Sequence, residues 1–115
     1  MTYIEKLQSP KWQKKRLEIL QRDQWECCVC KTGDTQLHVH HKTYDYGNDP
    51  WDYDDSNFVT LCSKCHSVVE HDKTIFNAAV KFLLKNNVSY YDLIGLVQNK
   101  FWEVKANMQK ETNNG

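Results

Sequence analysis

The stretch FVTLCSKCH, residues 58–66, changes character halfway along. Phe58 to Cys62 is an apolar, β-branched run of strand length, and from Ser63 a helix is expected through His71. The corner between them carries Cys62 and Cys65 at the spacing of a metal knuckle. The same spacing recurs upstream in WECCVCKTGD, residues 25–34, as Cys27 and Cys30. Two such knuckles supply four thiolates for a tetrahedron, which is what structural zinc requires. Cys28 falls between the ligands of its own knuckle and is left to packing or solvent. A redox role fits neither pair, because neither sits in a βαβ pattern.

A bound zinc would tie the upstream turn to the start of the Ser63 helix. It would thereby bring LHVHH, residues 37–41, beside FVTLC as a second short strand. On a strand His38 and His40 share one face and His41 takes the other, so the strand must end or twist for His40 and His41 to serve one site. On a helix successive side chains diverge by roughly 100°, so Cys65 can hold zinc while His66 faces elsewhere. The strand histidines would then face the helix that carries His66, although periodicity alone does not demand one shared site.

Working outward, Ser9-Pro10 starts a helix running to about Arg22, with Trp12 and Ile19 on one side and Leu17 and Leu20 close by. Gly33-Asp34 favours a tight reversal. DYGNDPWDYDDSN, residues 45–57, has too many turn formers and acids for a regular element and reads as a loop with Trp51 tucked in. TIFNAAVKFLLKN, residues 74–86, repeats apolar residues at helical spacing. Ser89 with Asp92 forms an acidic variant of the capping box and opens a last helix through about Met108. The polar tail 110–115 is expected to fray.

With 115 residues the chain is expected to form a single domain, 1–115. A mean hydropathy of −0.75 and no long apolar run exclude a membrane-spanning helix, and the N-terminus lacks a signal-peptide pattern. An odd count of five cysteines suits a reducing cytosol better than a disulfide scaffold. The net charge is zero, which argues against a polycation that coats nucleic acid. Its distribution is uneven: Lys6, Lys11, Lys14, Lys15, Arg16 and Arg22 crowd the first quarter, and Asp45, Asp49, Asp52, Asp54 and Asp55 the middle. A basic face toward phosphates is compatible with that dipole, as is a merely solvated helix face.

RLEILQRDQWECCVC (16–30), LHVHHKTY (37–44), GNDPWDY (47–53) and SNFVTLCSKCH (56–66) together resemble the HNH endonucleases, the ββα-metal nuclease family. The resemblance covers residues 9 to 71 and implies a small α+β fold. A ββα-metal core (9–72) would carry a structural zinc on four cysteines, with an N-terminal helix and two C-terminal helices (73–109) around it.

It implies His41 as the general base that takes a proton from the attacking water, and Asn57 as a brace for the loop that positions it. His40 and His66 would bind one divalent cation, Mg2+ or Mn2+ by availability. A further ligand falls to His71 or, at i+4 from His66, to Glu70; His38 would be an outer or DNA-contacting residue. DNA is the implied partner, contacted by Lys11, Lys14, Lys15, Arg16 and Lys42, with the acidic loop turned away or shaping the groove edge. The C-terminal helices are read as core and cover or as a homodimer surface. The competing reading is a zinc-ordered module that binds nucleic acid or protein without cutting.

Overall fold

The computed structural model describes residues 1–114, with side chains through residue 111. It is a small α+β structure with a two-stranded antiparallel sheet and four helices. Two compact units divide the chain, Met1–Asp72 and the part from Lys73 onward. Among the described residues every buried one lies in the first unit.

That unit opens on α1 (Tyr3–Leu7), for which the sequence reading has no counterpart. Its signal is a capping box: the Thr2 hydroxyl accepts from the Glu5 N–H, and the Glu5 carboxylate accepts from the Thr2 N–H. Then α2 (Pro10–Arg22) starts where Ser9-Pro10 places it, with the Ser9 hydroxyl accepting from Lys11 N–H. Trp12, Ile19 and Leu20 are buried on it, whereas Leu17 is exposed, a correction to its expected place beside the core.

Strands β1 (Leu37–His41) and β2 (Phe58–Cys62) pair antiparallel, with His41 opposite Phe58 and Leu37 opposite Cys62. Trp12, Ile19 and Phe58 make one cluster, with Trp51 and Tyr53 from the acidic loop packed against it; Cys27, Leu61 and Cys62 make the other. Each fully buried large side chain contributes about 2 kcal/mol, so clusters this small leave the fold in need of a further tie.

Part of that tie is polar. Arg22, the last residue of α2, donates to the Asp55 carbonyl at 2.6 Å and the Phe58 carbonyl at 2.8 Å. It also grips Asp23 through two nitrogens at 2.9 Å each, and Asp23 accepts from the Thr60 N–H at 3.1 Å. The end of α2 is thereby fastened to β2. A reversal in the cysteine turn is made at Lys31, which has φ 66° and closes back on the Cys27 carbonyl, and the chain bends again at Asp34 and Thr35.

Helix α3 (Ser63–Lys85) is continuous, where two separate segments are expected from sequence. Asp72-Lys73 offers no proline and no glycine or asparagine to end the helix. Asn87, at φ 69°, makes the left-handed turn beyond its end. Helix α4 (Tyr90–Asn114) begins at the expected Ser89–Asp92 box, with Asp92 accepting from both the Ser89 N–H and hydroxyl. It runs past the expected end near Met108 to Asn114, and Gly115 lies outside the described residues. No helix is long and apolar enough to cross a membrane.

Candidate metal and catalytic centre

Cys27 and Cys30 come from the turn after α2, Cys62 from the end of β2 and Cys65 from the first turn of α3. Their sulfurs all lie within 4.8 Å of one another. Cys30 and Cys62 are 3.7 Å apart, close to the ~3.8 Å edge of a tetrahedron built on ~2.3 Å zinc–sulfur bonds. The sulfurs compete for protons. Burial pushes the Cys27 thiol up, but N–H donors of Cys30, Cys62 and Val29 outweigh it and bring it to about 6. Cys65, bonded to Cys62, is pushed up to about 12. Four thiolates in contact need a cation among them, so the cluster fits a structural metal such as zinc. Cys28 stands outside the cluster, and its N–H donates to the Thr60 carbonyl at 2.9 Å, pinning the turn to β2.

The second cluster is His40, His66 and Glu70, with one ligand atom from each inside the same 4.8 Å limit. His40 Nδ1 and His66 Nε2 each lie 3.8 Å from Glu70 Oε1. Two imidazoles and a carboxylate around one point form a donor set for a divalent cation. His71 is not among the converging atoms. One residue further along α3, it is turned by roughly 140° from His66, whereas Glu70 is only about 40° off the same line. His38 borders the cluster, stacked on His66 at 5.3 Å with Nε2 3.0 Å from the Ser63 hydroxyl.

His41 sits at the last position of β1, 3% exposed, with its ring between Trp12 at 5.1 Å and Tyr44 at 4.9 Å. Its Nε2 is 2.8 Å from the Pro50 carbonyl. A carbonyl can only accept, so Nε2 carries the hydrogen and the neutral ring's lone pair is on Nδ1. Asn57 holds the turn that follows. Its Oδ1 accepts from the Thr43 hydroxyl at 2.7 Å and N–H at 3.1 Å, its Nδ2 donates to the Thr43 carbonyl at 2.9 Å, and its own carbonyl accepts from the Lys42 N–H at 2.8 Å.

A cavity of ≈ 490 Å³ lies beside His41, lined by Tyr3, Trp12, Arg16, His38, His41 and Tyr44 among others. Tyr44 connects the two histidine groups: it stacks on His41, and the Glu70 carboxylate lies near enough to help hold its phenol near 12, behind the larger effects of burial and Tyr3.

The expected DNA contacts divide. Arg16 faces the cavity, whereas Lys11, Lys14 and Lys15 line a separate groove with Trp51. Lys11 lies 5.7 Å over the Trp51 ring. Lys15 is held by Asp55 at 2.8 Å, and that bond raises its pKa. The acidic loop therefore meets the basic helix at Asp55 instead of turning away from it, and Asp49 does the same to Lys6 at 2.8 Å. The Lys42 residue is exposed.

Sequence reasoning missed the Arg22–Asp23 anchor and Tyr44. An Arg-Asp pair at a helix end carries no distinctive spacing, and Tyr44 is one aromatic among several in a loop-rich stretch. Neither family models, nor curated proteins, nor solved structures give a match to this chain.

Proposed function

We propose that the chain is a metal-dependent endonuclease of the HNH, ββα-metal kind that hydrolyses DNA phosphodiester bonds. One observation carries the reading: an imidazole with its Nε2 fixed by a backbone carbonyl lies next in sequence to a ligand of a two-histidine, one-carboxylate cluster. A positioned base and a cation site are the minimum apparatus for phosphodiester hydrolysis.

In this mechanism His41 Nδ1 takes a proton from a water as the water oxygen attacks phosphorus. The P–O3′ bond breaks and O3′ takes a proton from a solvent water, leaving a 5′ phosphate and a 3′ hydroxyl. The Pro50 carbonyl stabilises the imidazolium that forms by keeping its Nε2 hydrogen bond. Asn57 restrains Lys42 and Thr43, so the ring's position is fixed from the residue that follows it. His40, His66 and Glu70 would hold a divalent cation, which would supply charge stabilisation for the phosphate and the departing oxygen. Arg16, which lines the cavity with His41, draws the phosphate in.

The second reading, a zinc-ordered binding module, is favoured by the burial of the His41 ring between Trp12 and Tyr44. Plasmid nicking with Mn2+ or Mg2+ separates the two. Cleavage is expected from the intact chain, and His41→Ala should slow it by about 10²–10⁴-fold. Full-rate cleavage by His41→Ala removes the assigned base; no cleavage with any divalent ion leaves the binding module.

A further inference from the structure

The unit from Lys73 onward is rich in apolar residues that it does not bury. None of its described residues is buried, and only Val80, Leu83, Leu84, Val88, Leu93 and Gly95 are half-buried. The remainder is ordered along α4. Tyr90, Ile94, Val97, Phe101 and Val104 recur at alternating steps of four and three, and Met108 continues the series. That is a 3.5-residue period, the seam of a coiled coil, and distinct from the 3.6-residue period of a helix lying on a globular core. The first five residues are between 46% and 69% exposed. A groove of ≈ 590 Å³ follows the seam from Leu96 to Met108, flanked by Lys100 and Lys105.

We infer that this seam is an interface with a second copy of the chain, pairing α4 with α4 antiparallel about a two-fold axis near Asn99. Area supports a stable pair. At about half exposure each large apolar side chain offers ~100 Å², so the six seam residues offer ~600 Å² per copy, one partner's share at the lower end of a standard interface. Self-complementarity supports a copy of the same chain. A two-fold interface must match a patch to itself, and this seam does so: Tyr90 falls opposite Met108, Ile94 opposite Val104 and Val97 opposite Phe101.

Charge selects the direction. A parallel pair would set Lys100 of each copy against Lys105 of the other, twice. The antiparallel pair leaves one Lys100–Lys100 approach at the axis, and each of those ammonium groups is already held by Glu103 at 3.0 Å. Lys105 lies 5.6 Å over its own Phe101 ring, so its stem covers the rim of the seam.

The inference is independent of the nuclease reading, since its readout is mass. Light scattering of the full, zinc-loaded chain at micromolar concentration should give twice 13.6 kDa, and Val97→Glu/Val104→Glu should return it to 13.6 kDa with zinc content and helical signal retained. Both valines are exposed in the single chain, so the variant retains its fold. Under mild oxidation Ile94→Cys/Val104→Cys should link into a covalent dimer while Ile94→Cys alone does not. A monomeric parent chain, a double-glutamate variant that still dimerises, or linkage by Ile94→Cys alone overturns the proposal.

Discussion

The Asp23 carboxylate, 11% exposed at its side chain, titrates at about 2 in place of its usual 3.8. The Arg22 guanidinium is the main cause; burial opposes it, and Thr60 adds to the lowering. A carboxylate whose folded pKa lies below its unfolded one stabilises the fold fully above the unfolded value, and this contribution fades as pH falls through the folded value. At neutral pH the difference is worth about 2 kcal/mol, and it disappears between about pH 4 and pH 2. Asp23→Asn should therefore lower the denaturation free energy by about 2 kcal/mol at pH 7, with the gap to the parent chain closing as pH drops through that window. Denaturant titrations of both chains at several pH values measure it. A gap that stays constant down to pH 2 would mean that Asp23 acts through shape alone.

At the scale of elements, the two knuckles join the turn after α2 to the corner between β2 and α3, and little else fastens that turn. Its other ties are backbone bonds such as Cys28 N–H to Thr60 and Cys27 N–H to Thr32. The thiolate cluster thus contributes much of what closes the first unit, in a domain whose apolar clusters are small. The parent chain should bind about one zinc ion, and Cys27→Ser should abolish that binding and lower the melting temperature by more than 10 °C, on the order of 2 kcal/mol or more. Cys28→Ser, outside the cluster, should keep the zinc and the melting temperature. Atomic emission and calorimetry read both.

The same elements show what sequence makes legible. Both strands and the Ser9-Pro10 and Ser89-Asp92 helix starts are readable because each rests on local chemistry: β-branched runs, a proline with a cap, a reciprocal box. The close approach of the cysteines follows from spacing alone. The continuity of α3 is hidden because charged residues at 72 and 73 are equally at home inside a helix and between two. Glu70 against His71 is decided by helical rotation, which sequence states only once the helix is known to continue. The aromatic cage of Trp12 and Tyr44 around His41 depends on how α2 crosses the sheet, which no local pattern encodes.

For the whole molecule a net charge of zero conceals a distribution that is partly neutralised internally. Lys6 is engaged by Asp49, and Lys15 by Asp55 and Glu18, so two of the lysines crowding the first quarter are already spoken for. If DNA is the substrate and Lys11 stays over the Trp51 ring, Lys14, Arg16 and Lys42 remain as phosphate contacts outside those pairs. Each neutralised phosphate releases counterion and steepens the salt dependence by ~0.9. Binding of the His41→Ala chain to a labelled duplex, without divalent ions, should therefore weaken with salt at a logarithmic slope of about −3 per site. Fluorescence anisotropy across a range of salt concentrations gives that slope directly. A value near −5 would mean that Lys6 and Lys15 leave their aspartates for the backbone, and the acidic loop would then act as a competitor that DNA displaces. Asp55→Asn separates those cases: it should steepen the slope by about one if Lys15 is freed to reach phosphate, and leave it unchanged if Lys15 faces a groove that DNA does not enter.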